Sequence, residues 1–116
     1  MKTLFIVNGA PYGTETTYNA LRLARSLLKA EGNEVRLFLL GDGASAAQAG
    51  QKVPQGYYNV ADMLGIILRH RGEVGVCGTC MDARGIGDGQ LIDGAQRGSM
   101  DSLSAWTAWA DKVLVF

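Results

Sequence analysis

The chain has 116 residues, 47% of them apolar and 19% charged, and its 11 Lys and Arg balance 11 Asp and Glu to a formal net charge of zero. That length fits a single domain over residues 1–116, able to bury roughly 65% of its unfolded surface without disulfide staples. Zero net charge removes the footprint of a general nucleic-acid or membrane-surface binder, and no apolar run approaches the ~18 residues of a membrane span.

The opening run, Lys2 to Val7, contains Leu, Phe, Ile and Val and is broken by Asn8-Gly9, which predicts a buried strand and is too short for a signal-peptide core. A cytoplasmic protein is expected, with no direct nucleic-acid contact and no membrane contact. From Thr16 to Glu31, Ala20, Leu21, Ala24, Leu27 and Leu28 recur at helical spacing, with Arg22, Arg25 and Lys29 opposite, and Gly32 ends the helix. Val35 to Leu40 predicts a second strand. A strand, a helix and a strand in this order make a right-handed parallel crossover the default. Gly41 to Gly56 is rich in Gly, Ala, Ser and Gln. It reads as a long functional or mobile loop, with a short helix over Ala44 to Ala49 as the alternative.

Asn59 is placed to cap a helix whose stripe is Val60, Met63, Leu64, Ile67 and Leu68, ended by Gly72. Glu73 to Val76 predicts a third strand that runs directly into Cys77-Gly78-Thr79-Cys80. Ile86 to Gly98 is Gly-broken, with one short helix over Gln90 to Asp93. A helix from Asp101 to Ala110 aligns Leu103, Trp106 and Ala110, and Lys112 to Phe116 closes the chain as a strand. Almost wholly apolar strands alternating with helices imply a three-layer α/β/α domain with a mainly parallel sheet. Ligands on such sheets bind at the carboxyl ends of the strands. Asn8-Gly9, Gly41-Asp42-Gly43 and the cysteine segment therefore converge on one rim.

The two thiols carry the strongest chemical signal. At this spacing after a strand they can approach each other at a helix start, where free backbone N–H groups favour a thiolate. Arg84, a turn further on, adds positive potential, and Asp42 is either a cap or an acid at the rim. Gly78, Thr79, Arg84 and Asp42 are thus the candidate substrate-contacting residues around the candidate catalytic pair Cys77 and Cys80. The opposing reading is a buried, inert pair. No metal site is expected, because the chain offers one Cys pair and a single imidazole, His70, at the charged last turn of a helix. Neither G-x-G-x-x-G nor a Walker loop follows the first strand, so no nucleotide or other cofactor is expected. Thioredoxin-like chemistry needs a proline downstream of the motif, and both prolines, Pro11 and Pro54, lie upstream. Trp106 and Trp109 read as core or subunit contacts, while Tyr57 and Tyr58 belong to the rim or to an interface.

Gly41-Asp42-Gly43, Gly56 to Leu64, Val76 to Ile86 and the ending Trp106 to Phe116 together resemble the DsrE/DsrF-like family, in particular its small YchN-type members. The resemblance spans essentially the whole chain, and the block from Cys77 to Arg84-Gly85 is its most specific part. It implies a three-layer α/β/α fold, a homo-trimer or homo-hexamer, and sulfur transfer between donor and acceptor proteins, as in relatives such as the TusD component of the tRNA thiolation relay. By its distance to Arg84-Gly85, Cys77 matches the persulfide-carrying cysteine of those relatives. Cys80 departs from their pattern, since sulfur carriers usually have a small apolar residue there.

Overall fold

The computed structural model describes residues 1–116. Its elements are β1 (Lys2–Val7), α1 (Thr16–Leu28), β2 (Glu34–Leu39), a 3-10 turn (Gly41–Ala47), α2 (Val60–Arg69), β3 (Glu73–Cys77), α3 (Gly78–Ala83), a second 3-10 turn (Asp88–Gln90), β4 (Ala95–Gly98), α4 (Met100–Trp109) and β5 (Lys112–Val115). The five strands form one sheet in the order β4-β3-β2-β1-β5, and every neighbouring pair is parallel. All strands therefore end on the same rim.

The pleat sends alternate residues to opposite faces. Phe5 and Val7, Leu37 and Leu39, and Val74 and Val76 meet Ala20, Leu21 and Ala24 of α1 and Val60, Leu64 and Ile67 of α2 in the larger core. On the other face, Leu4, Phe38 and Cys77 pack against Leu103 of α4. That layer is thinner because α4 is its only helix, running from the carboxyl end of β4 to the amino end of β5. Its close approach depends on Gly75, where a Cβ would stand 3.1 Å from the Trp106 ring and 3.0 Å from that of Phe38. The diagonal leaves the carboxyl ends of β1 and β5 open on this face, where Val113 and Val115 are 39% and 66% exposed.

Several expectations are corrected. Helix α1 stops at Leu28, short of Glu31, although Gly32 does take a positive φ. Helix α2 ends on His70 as C-cap, and the left-handed residue there is Arg71, not Gly72. Gly72 instead sits where a Cβ would collide with Ile67. The Asn59 cap holds, with its side chain accepting from the Asp62 N–H at 3.0 Å. The stretch from Gly41 begins as an ordered 3-10 turn in place of a loose loop or a helix over 44–49. Gln51 secures it by donating to Ala46 and Gln48 carbonyls at 2.9 Å each, while Tyr12 donates to Gln51 Oε1 at 2.6 Å. The Gln90 to Asp93 helix is absent: a 3-10 turn at Asp88–Gln90 precedes an edge strand, β4, that carries no apolar alternation and pairs from Val74↔Ala95 to Cys77↔Gly98.

Candidate active site

Strand β3 delivers Cys77 to the rim, and the chain turns at once into α3. Cys77 is the N-cap of this short helix, with its Sγ accepting from the Cys80 N–H at 3.3 Å and lying 3.4 Å from Thr79 Oγ1. One helical turn brings Cys80 back over Cys77, with Cα atoms 5.2 Å apart, and the structure pairs the two sulfurs as a disulfide. Cys77 is nearly buried at 9% exposure, whereas Cys80 is half-buried.

The second contribution comes from the 3-10 turn after β2. Gly41, at φ +53°, adopts a left-handed conformation that a side chain would strain. Its N–H donates to Cys80 Sγ at 3.2 Å. Each sulfur thus has its own backbone donor, and such bonds favour a thiolate once the pair is reduced. The turn itself is wedged against β1, because a Cβ on Gly43 would collide with the Val7 carbonyl.

Asp42 is not a helix cap. It accepts from Arg84 Nη2 at 2.7 Å and from Nε at 3.2 Å, while Arg84 Nη1 donates to the Cys80 carbonyl at 3.0 Å. Arg84 is therefore a strut between α3 and the 3-10 turn, its charge met by Asp42. Thr79 is exposed at the surface of the motif, and Gly78 is buried beneath a residue that the sequence did not flag. That residue is Arg97 of β4, whose Nε would stand 2.7 Å from a Cβ on Gly78. Arg97 donates to Asp82 Oδ2 at 2.7 Å and to Asp88 Oδ1 at 3.3 Å. Its guanidinium holds the Asp82 carboxyl below the ordinary value of 3.8, and Asp82 in turn raises Arg97. No signal in the sequence joins Arg97 to the cysteines, because only the unrecognised edge strand brings it there.

The other candidates lie apart. His70 stands at the opposite end of the sheet with Nδ1 2.8 Å from the Ile66 carbonyl. A surface hollow of about 770 Å³ is also there, lined by Lys29, Glu31, Arg69 and Arg71 among others. No three His, Cys, Asp or Glu side chains come together in a metal-binding group. Trp106 meets Phe38 edge-on at 5.9 Å, and Arg36 lies 4.0 Å over the Trp109 ring, so both tryptophans fasten α4 to the sheet. Tyr58 stacks on Tyr18 at 4.1 Å, while Tyr57 is 69% exposed. No helix is long and apolar enough to cross a membrane.

Comparison with known proteins finds relatives along the whole chain. The chain is 46% identical to Protein YchN of Escherichia coli, covering 99% of this chain and 98% of that one. It is 39% identical to the Methanocaldococcus jannaschii protein MJ0989 over the full length of both. The crystal structure of the E. coli ychN protein superposes with a TM-score of 0.93 at 45% identity, covering 99% of this chain and 98% of that one. MTH1491 of Methanobacterium thermoautotrophicum, at 10% identity, 96% coverage of both chains and a TM-score of 0.72, shares the fold. The DsrE/DsrF-like family model matches residues 1–116, and the chain belongs to that family.

Proposed function

We propose that the protein handles sulfane sulfur, with Cys77 as the nucleophile that accepts it and Cys80 as the partner thiol. The observation that carries this reading is the position of Cys77: at the carboxyl end of β3, its sulfur receives the Cys80 N–H and is paired with the Cys80 sulfur. Family membership supports the same chemistry, although a shared fold alone does not fix function. The donor is another sulfur-carrying protein or a small persulfide, and the working form is a homo-trimer or homo-hexamer. Thr79, Asp42 and Arg84 shape the rim that such a partner meets, with Gly78 buried beneath Arg97.

The test uses Cys80→Ser, in which any sulfur accepted on Cys77 cannot be passed to a neighbouring thiol. Incubated with glutathione persulfide, this variant gains one sulfur atom by intact mass, and the Cys77→Ser, Cys80→Ser double variant gains none. Equal labelling of both would remove the central claim. A second reading, an assembly or binding module with a redox-sensitive or structural cysteine pair, is favoured by one observation. Arg84 and Arg97, the cations flanking the motif, are both already paired with carboxylates, which leaves neither free for an anionic substrate. Absence of sulfur uptake by Cys80→Ser selects that reading.

A further inference from the structure

We propose that sulfane sulfur reaching this site leaves it as hydrosulfide, because Cys80 resolves a persulfide on Cys77 within the same chain. This rests on the sulfur-handling reading above and names the product of that site. The inference comes from placement. Cα atoms 5.2 Å apart fall inside the ~4.4–6.8 Å range of disulfides, so the backbone already holds the geometry of the resolved product. Cys80 is also the partner held ready. Its sulfur receives the Gly41 N–H at 3.2 Å, a donor supplied by a different element and independent of the bond from Cys80 N–H to Cys77.

The step balances without an external oxidant. A small persulfide first transfers its outer sulfur to the Cys77 thiolate and departs as a thiol. The Cys80 thiolate then attacks Cys77 Sγ. The Sγ–Sγ bond forms as the bond from Cys77 Sγ to the outer sulfur breaks, and that sulfur departs with the bonding pair as HS⁻. The sulfane sulfur gains two electrons, and the two cysteine sulfurs lose them in becoming a disulfide. If Cys80 attacks the outer sulfur instead, the persulfide moves to Cys80, and Cys77 then resolves it to the same disulfide and the same HS⁻. A dithiol reductant must reopen the disulfide before the next turn, so dithiol–disulfide exchange is the class of reaction that follows.

Magnitude decides between release and onward transfer. Well-oriented intramolecular groups act at effective concentrations up to about 10⁵ M or more, against roughly millimolar for an external acceptor thiol. Even an effective concentration several powers of ten below that figure leaves internal resolution faster. A stable carrier removes this competitor by lacking the second thiol, and this chain retains it.

The experiment is a single turnover of reduced wild-type protein with one equivalent of glutathione persulfide, without oxygen or added reductant. The expected result is close to one HS⁻ per chain, with the protein lighter by a pair of hydrogen atoms and no sulfur retained. Cys80→Ser, with Cys80→Ala as a second variant, retains the sulfur on residue 77 as a persulfide, not as a glutathione adduct, and releases little HS⁻. Wild type that keeps the added sulfur while releasing no HS⁻ overturns the inference but leaves the sulfur-handling reading intact. Protein that neither takes up sulfur in Cys80→Ser nor forms its disulfide in wild type overturns both.

Discussion

Gly43 shows how closely the rim is built. A Cβ there would collide with the backbone carbonyl of Val7, which cannot move aside as a flexible side chain can. Gly43→Ala should therefore cost about 1–3 kcal/mol in urea denaturation, the usual range for forced overpacking. Gly89→Ala is the control, since nothing lies within 4 Å of its Cβ position and its φ is not in the left-handed region. It should leave the midpoint unchanged within error. The Asp82–Arg97 pair makes a separate prediction in pH. The folded state lowers the affinity of Asp82 for its proton, so the pair's contribution is complete above the unfolded carboxyl value and is lost as pH falls through the lower folded one. Acid titration of stability below about pH 4 should be shallower in Asp82→Asn than in wild type. The effect is small, because the pair is solvent-exposed. At this scale the cysteines were legible, because their spacing and the strand before them are local. Arg97 was not. It lies within the Gly-broken stretch and reaches Gly78 only through sheet pairing.

Among the elements, the 3-10 turn at Gly41–Ala47 positions the donor to Cys80, and the Arg84–Asp42 strut ties that turn to α3. Arg84→Met removes the strut, so the Gly41 N–H is held less firmly on the sulfur. In a Cys77→Ser background, alkylation of Cys80 near neutral pH should slow about two- to five-fold, equivalent to ~0.5–1 kcal/mol for a partly exposed hydrogen bond. Global stability should change by less than about 1 kcal/mol. Arg84→Lys, with a point charge in place of the planar fork, should recover only part of the rate. An unchanged alkylation rate in Arg84→Met would assign the pair to the surface alone. The periodic elements were readable from sequence to within a few residues, because α1 and α2 bury regular stripes and β1 to β3 are apolar. Strand β4, Ala-Gln-Arg-Gly, could not be read that way, since an edge strand needs only backbone pairing with β3 and offers no apolar alternation. Asp42 between two glycines carries the pattern of a cap, and only its partner 42 residues along the chain shows otherwise.

For the whole molecule, the asymmetry of the two sheet faces is the feature that bears on assembly. Helices α1 and α2, joined by Met81 of α3, cover one face and only α4 crosses the other, leaving Val115, Val113 and Ile6 at an open apolar corner. Leu40 and Cys80 pack on the same small cluster as Ile6, so this corner adjoins the cysteine rim. A chain of zero net charge has little long-range repulsion to keep identical corners apart, and burying exposed valines contributes roughly 25 cal/mol per Å². A second copy of the chain is the occupant this favours, and closed symmetry would bring several cysteine rims to equivalent boundaries. Light scattering at micromolar concentration should then give a multiple of 12.4 kDa. Val115→Lys should bring the mass down to 12.4 kDa while changing the stability of the folded chain by no more than about 0.5 kcal/mol, because the side chain is already 66% exposed. Wild type scattering at 12.4 kDa at every concentration would remove self-association, and with it any role for a neighbouring chain in enclosing the thiols.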